Sequence, residues 1–375
     1  MKILYVAWMT PYDKVRHAGG QTFNYYIKGM ARAGHEVTLV SFCMPEELKE
    51  IDLSSRGICF CPIVRRKDWK DFLGNFRSLN SKLNPRHRLC NLLSAKSEHR
   101  MLSRLRELSA GGYEPEVIIL EWTEMLLLID GVKQIFPKAK IVASEHDVTF
   151  QRIGREAATE DTRRKQIQAQ NTRERELKAI LTCDKVVVHN EKDRVLLLDA
   201  GISEEKIFTI VPFYHQSQAV YSRKNDKVLF FGNMMRKENQ EAADWFSRHV
   251  MPLIKGLPVE FEVIGNGAKY VESIDVAFSE AMCFVCPLLH GAGIKVKTLE
   301  ALYSGIPVLA NELGIEGIPA MDGEEYFHCE KPEDYEKAIR QIYEGKSTVS
   351  GKKMFDRMFD LVSSLENYRN MIAAI

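Results

Sequence analysis

Short apolar runs separated by longer amphipathic stretches recur along almost the whole chain. Runs at 2–8, 36–42, 117–120, 141–143 and 185–189 have the length of buried strands. A second series follows at 227–231, 259–264, 282–288, 308–310 and 325–329. Between them lie stretches of helical period. Phe23, Ile27 and Met30 share one face of a helix that stops at Gly34, and Val296, Leu299 and Leu302 share one face of another, stopped by Gly305 and Pro307. Further helices are expected at 191–199, from the loop after 232 to 254, at 332–344 and at 352–375. Strands alternating with helices predict an α/β fold. The stretch 151–180 reads as a long charged helix with a solvated face, carrying Arg152, Arg155, Arg163, Arg164 and Lys165 among acids. One segment resists the pattern. Residues 270–274 look like a strand, yet 265–269 is too short to connect two adjacent parallel strands, which need a crossover of about a dozen residues. Either 270–274 pairs in another way or it does not pair.

Length divides the series. Single cores stop growing near ~250–300 residues, so 375 residues predict two domains. The polar, aperiodic stretch 212–226 is the expected linker, between a first domain at 1–211 and a second at 227–354. Composition changes little else: 45% apolar, 27% charged and a net charge of +1, which implies no nucleic-acid partner. No run of about 18 apolar residues is present to span a membrane, and the first residues read as a strand rather than a signal peptide. The eight cysteines are scattered. Cys283 and Cys286 have metal-site spacing but lie inside an apolar strand run, with no second pair nearby. All eight are expected as reduced core residues of a cytoplasmic protein.

One region is locally charged. Residues 65–106 hold twelve Lys and Arg against three acids, a local charge of +9, interleaved with Trp69, Phe72, Leu73, Phe76 and further leucines. Such a segment suits an anionic membrane surface or a polyanionic acceptor. A solvated hairpin packed on its own domain is the alternative.

Candidate chemistry sits at strand ends, where open α/β sheets put their sites. After the run ending near 288 come Gly291 and Gly293 and then the helix, with Lys297 and Glu300 one turn apart on one face. A cation and an acid so placed can hold a diphosphate and a sugar hydroxyl together, with the helix N-terminus adding N–H groups for the phosphates. Gly19 and Gly20 open the first helix and permit close backbone approach to an anion. Polar clusters end two first-domain strands, at 121–124 and at 144–147.

The stretch 287–318 resembles the donor-binding segment of the large retaining "group 1" family of GT-B glycosyltransferases. There a strand ending in Pro leads to a glycine loop, a Lys three residues before a Glu, a Gly-x-Pro-Val stop and a Gly-x-Glu-Gly loop. Lys297, Glu300, Gly305, Pro307, Val308, Gly314, Glu316 and Gly317 match. The run 31–39 is also typical of the family. Many members carry a second Glu eight residues before the first, where this chain has Ala292.

The resemblance implies a GT-B architecture: two Rossmann-like α/β/α domains facing each other across a donor-binding cleft, with the terminal helix, 355–375, packing back on the first domain. It implies that Lys297 contacts the donor diphosphate and Glu300 the ribose hydroxyls. Gly293, Ile294, Gly314, Glu316 and Gly317 would lie near the donor, as would Gly19 and Gly20 from the first domain. The loop after residue 231 would bring Gly232 and Asn233, with Arg236 or Lys237 supplying a cation to the diphosphate. His146 falls where the family places a histidine toward the donor sugar, and a neutral imidazole there can donate a hydrogen bond to a hydroxyl. The implied activity is metal-independent transfer of a sugar from a nucleotide-diphosphate sugar (UDP or GDP type, with no cofactor) to a saccharide or lipid-linked acceptor, with retention, in surface polysaccharide assembly on the inner face of the membrane. Two alternatives stand beside it: a sugar-nucleotide epimerase, and a catalytically silent subunit that binds an active partner.

Overall fold

The computed structural model describes residues 1–15, 18–65, 92–160, 162–212, 220–291, 293–358 and 364–375. The basic segment expected to meet a membrane or acceptor lies mostly outside the described residues, as does Ala292. The chain divides into two compact units, Met1–Val211 with Ser364–Ile375, and Pro212–Ser363.

Unit 1 is built on a seven-stranded parallel sheet. Its strands are β1 (Lys2–Ala7), β2 (Glu36–Cys43), β3 (Ile58–Val64), β4 (Val117–Glu121), β5 (Lys140–Glu145), β6 (Lys185–Val188) and β7 (Ile207–Thr209), in spatial order β3-β2-β1-β4-β5-β6-β7. Both faces are covered, so the central strands are buried throughout, as in β1 and β4. On one face α1 (Ala18–Arg32) packs Phe23, Ile27 and Met30 onto Ile3, Tyr5 and Leu39. The other face holds α2 (Ala95–Ala110), α3 (Thr123–Leu126), α4 (Ile129–Ile135), α5 (Thr149–Glu160), α6 (Arg163–Thr182) and α7 (Glu191–Asp199), with Met101, Leu105, Met125 and Ile180 in that core.

Three expectations change here. Strand β6 is not the last of its sheet, because β7 pairs beyond it. The stretch 151–180 is two helices, α5 and α6, with Thr162 capping the second through its hydroxyl. Its face is not simply solvated: Glu176 is buried and accepts from the backbone N–H groups of Thr149 and Phe150 at 2.9 and 2.7 Å, satisfying free donors at the start of α5. Burial pushes the carboxyls of Glu176 and its neighbour Glu145 upward, reinforced in Glu145 by the Glu176 charge. The cysteines are not all in the core, for Cys59 is exposed on the edge strand β3.

Gly154, inside α5, has open space where a Cβ would stand. Gly154→Ala is therefore expected to stabilise unit 1 by about 0.5–1 kcal/mol, the usual helix-interior difference. A denaturant titration checks it; a lowered midpoint contradicts the open surroundings.

Unit 2 carries a five-stranded parallel sheet of β8 (Lys227–Phe231), β9 (Glu260–Ile264), β10 (Cys283–Cys286), β11 (Val308–Ala310) and β12 (Phe327–His328), in order β12-β11-β10-β8-β9. Its helices are α8 (Lys237–His249), α9 (Ile274–Glu280), α10 (Val296–Ser304), α11 (Glu312–Ile315), α12 (Pro332–Tyr343) and α13 (Lys352–Met358). The doubtful stretch 270–274 forms no strand. A single bridge from Ile264 to Lys269 ends the pairing, Tyr270 is exposed, and Ser273 caps α9 with its hydroxyl. Because β9 is the sheet edge and β10 lies on the other side of β8, no crossover to a neighbour of β9 is needed.

Of the expected terminal helix, 355–375, the described residues form two helices. Helix α13 packs on α10 within unit 2, and α14 (Ser364–Ala373) belongs to unit 1. There Tyr368 stacks on Tyr26 with centroids 4.5 Å apart, and Leu365 fills the place a side chain at Gly29 would take.

Candidate functional site

In both sheets the chain reverses its direction of growth beside the first strand. The switch lies between β1 and β4 in unit 1 and between β8 and β10 in unit 2. Ligands of open α/β sheets bind outside the carboxyl ends at such points. The sequence-predicted residues collect at these two places.

In unit 2, Lys295 is the N-cap of α10, and Lys297 and Glu300 follow in its first two turns. The Lys297 ammonium donates to Asn239 Oδ1 at 2.9 Å and sits 4.3 Å from the centre of the Phe230 ring. It is half-buried and, among the described residues, forms no ion pair. Burial lowers its pKa, with the Arg236 charge acting the same way. A desolvated cation facing only an amide and a ring lacks the anion that would compensate it.

Asn239 also donates to the Asn233 carbonyl at 2.9 Å, and Asn233 Oδ1 accepts from the Met235 N–H at 3.0 Å and from Asn266 at 3.1 Å. Gly232 lies directly under Asn239, with its Cβ position 3.0 Å from the amide. Gly232 and Asn233 thus shape the loop that seats Asn239 and, through it, Lys297. Asn239 was missed by sequence reasoning, although it stands one turn into a helix that follows the glycine loop.

Glu300 is half-buried, and no hydrogen bond or ion pair reaches its carboxylate among the described residues. Burial, helped by Asp275, pushes its pKa up from 4.5 to about 7. A raised carboxyl pKa contributes stability that is complete below about pH 4.5 and is lost as pH rises through 7. Glu300→Gln is therefore expected to melt level with the wild type near pH 4.5 and above it at pH 8. A melting difference that does not grow with pH contradicts the raised value.

The structure treats the other cations differently. Arg236 and Lys237 are exposed and pair with Glu238 and Glu241. Lys295, absent from the sequence-derived set, is nearly buried, 3.5 Å from Glu316 Oε2, and donates to the Gly293 carbonyl. Glu316 therefore compensates a lysine. Gly314 packs its backbone on the end of β10, its Cβ position only 2.1 Å from the Cys286 carbonyl oxygen, and its own carbonyl accepts from Thr298 at 2.9 Å. Gly317 has φ +77°, a turn conformation that suits glycine. Ile294 is half-buried beside Gly293.

In unit 1, Gly19 and Gly20 lie in the first turn of α1. Gly19 faces His146 and Trp122: a Cβ there would stand 3.4 Å from His146 Nδ1 and 3.6 Å from the indole. His146 Nε2 is 2.8 Å from Glu121 Oε2, and the imidazole stacks on Trp122 with centroids 4.5 Å apart and planes 14° apart. His189, after β6, meets His146 edge-on at 5.1 Å. Its Nδ1 donates to the Ile210 carbonyl at 2.8 Å, and burial lowers its pKa to about 3, so it is neutral. Trp122 has φ +69°, the one non-glycine residue with positive φ among those described.

Residues 225–345 match the family described as Glycosyl transferases group 1. An uncharacterized 44.6 kDa protein in the cps region of Klebsiella pneumoniae is 25% identical over 127 residues, covering 27% of this chain. The match spans 33% of that relative's length. Among solved structures, Anabaena HepE in complex with UDP and glucose has a TM-score of 0.66 at 12% identity, covering 100% of both chains. Sucrose-phosphate synthase from Thermosynechococcus elongatus has a TM-score of 0.70 at 15% identity, covering 100% of this chain and 99% of its own. The fold of the chain is GT-B, and residues 225–345, within unit 2, are similar to the group 1 glycosyl transferases.

Proposed function

With the group 1 segment carried on a GT-B fold, we propose that the protein transfers a sugar from a nucleotide-diphosphate sugar to a hydroxyl of a saccharide or lipid-linked acceptor, with retention, in the assembly of a surface polysaccharide. The observation that carries this is the pair Lys297 and Glu300: among the described residues, a half-buried cation without an ion pair and a half-buried carboxylate without a donor, one turn apart at the switch point of unit 2. A diphosphate answers the first and a ribose diol the second. HepE, which shares the fold, was solved with UDP and glucose, and this supports a UDP-type donor.

The hard step is departure of the nucleoside diphosphate, and preorganised positive groups stabilise the charge that develops there. Lys297 is the fixed one. Arg236 and Lys237, held at the surface by Glu238 and Glu241, would exchange those partners for the phosphates. Protein cations alone serve the leaving group in this reading, so added divalent metal is not required. The leaving phosphate takes the acceptor proton, and no side chain is assigned as nucleophile. The basic segment 65–106 is proposed to meet the anionic membrane surface or acceptor. Among the described residues no helix is long and apolar enough to cross a membrane.

Thermal melting with UDP, GDP, ADP and dTDP tests the donor site. A ligand at 100 times its dissociation constant adds about 2.7 kcal/mol. One nucleotide is expected to raise the melting temperature of the wild type and to leave that of Lys297→Ala/Glu300→Ala unmoved. If none of the four acts on the wild type, the silent-subunit reading replaces this one.

A further inference from the structure

We propose that Glu121 is a positioning residue that holds His146 with its ring proton on Nε2, so that Nδ1 faces the first turn of α1 as a hydrogen-bond acceptor for a hydroxyl of the bound sugar. The inference rests on the glycosyl-transfer reading. It reverses the expectation that His146 donates.

Glu121 ends β4 with a side chain only 2% exposed, and its Oε2 lies 2.8 Å from His146 Nε2. A carboxylate accepts, so we place the proton of this contact on Nε2. In the neutral imidazole the lone pair is then on Nδ1. The ring is held against turning by Trp122 on one face and by the His189 edge. Trp122 reaches that position from a left-handed backbone conformation, strain of a kind that persists where the surroundings require it. His189 is neutral and carries its own proton on Nδ1, toward Ile210, so it places no second charge beside His146. Finally, among the described residues Nδ1 has no hydrogen-bond partner, and the glycine at 19 keeps a side chain from it: a Cβ there would lie 3.4 Å away. The four elements concerned follow β1, β4, β5 and β6, neighbours in the sheet, and they meet at its switch point. An acceptor atom selects a hydroxyl over an analogue lacking it, because the unpaired group then stays buried.

The test uses the full chain labelled with 15N-histidine at pH 8, with His146 assigned through His146→Asn. Long-range 1H–15N spectra are expected to show protonated Nε2 and bare Nδ1 in the wild type, and a mixture of tautomers in Glu121→Gln, which keeps the size of the side chain. UDP-glucose, GDP-mannose and dTDP-glucose are each added beside the matching diphosphate. A nucleotide sugar that raises the melting temperature is expected to shift Nδ1 beyond the shift from its diphosphate. Glu121→Gln is expected to lower its cleavage about tenfold or more, while the diphosphate still stabilises. Gly19→Ala sets a methyl against Nδ1; it is expected to melt no lower than the wild type and to abolish the sugar-dependent shift. Protonated Nδ1 in the wild type, or an unchanged tautomer in Glu121→Gln, overturns the proposal. A stabilising nucleotide sugar that leaves Nδ1 unmoved, or a shift that survives Gly19→Ala, also overturns it. If no nucleotide or nucleotide sugar stabilises the wild type, the transfer reading fails and the hydroxyl seat falls with it, while the tautomers still decide what Glu121 does.

Discussion

If the protein acts as proposed, Lys297→Ala is expected to lower sugar transfer by about two to three orders of magnitude, the usual cost of removing one preorganised group from a developing charge, while the melting temperature stays level or rises. The two effects have one origin. In the free protein the ammonium is desolvated, touches Asn239 and the Phe230 ring and, among the described residues, forms no ion pair, so its charge is poorly compensated in the folded chain. Removing it relieves that cost and removes the proposed partner of the diphosphate at once, the usual opposition of stability and activity at a site. Lys297→Met, which keeps most of the packed stem, separates charge from packing and is expected to lose as much transfer. Release of nucleotide from the donor and a thermal melt are the measurements. Turnover within tenfold of the wild type, or a marked fall in melting temperature, would show that Lys297 is held for packing.

Gly265→Ala is expected to cost unit 2 several kcal/mol. A Cβ at this position would stand 2.3 Å from the Gly232 carbonyl oxygen, and the backbone has φ +122°. The obstacle is main chain, so no rotamer change relieves it. A left-handed conformation costs a side-chain-bearing residue about 1–3 kcal/mol, and overpacking costs about as much again. At about 2–4 °C per kcal/mol for a domain of this size, the melting temperature falls by roughly 5–20 °C. The damage reaches the site. Gly232 and Asn233 seat Asn239, and Asn239 seats Lys297, so the folded fraction of the variant is expected to respond less to nucleotide. Calorimetry on the full chain, compared with Gly154→Ala, measures it. A variant as stable as the wild type would mean that the Gly232–Gly265 contact is looser than its geometry.

The sequence by itself determined most of the buried strands and placed Lys297 and Glu300 together on one helix face. Apolar runs such as 2–8 and 282–288 are local signals, because a strand buried on both faces must be apolar at every position. The Lys297–Glu300 spacing is equally local, since residues three apart share a helix face whatever the helix packs on. Everything that depended on a partner far along the chain was decided by the tertiary structure. The outermost strands β3 and β7 exist because β2 and β6 offer them an edge. The stretch 270–274 needs no partner because β9 is itself an edge. The charged helix α6 turns a glutamate inward because α5 begins there with unsatisfied N–H groups. At the sites, sequence named the groups and structure assigned their state. Glu316 is compensated by Lys295, Arg236 and Lys237 are engaged at the surface, and Lys297 is left without an anion. His146 meets a carboxylate 25 residues earlier. Compensation of charge and direction of a proton are properties of pairs, and only folding determines which pairs meet.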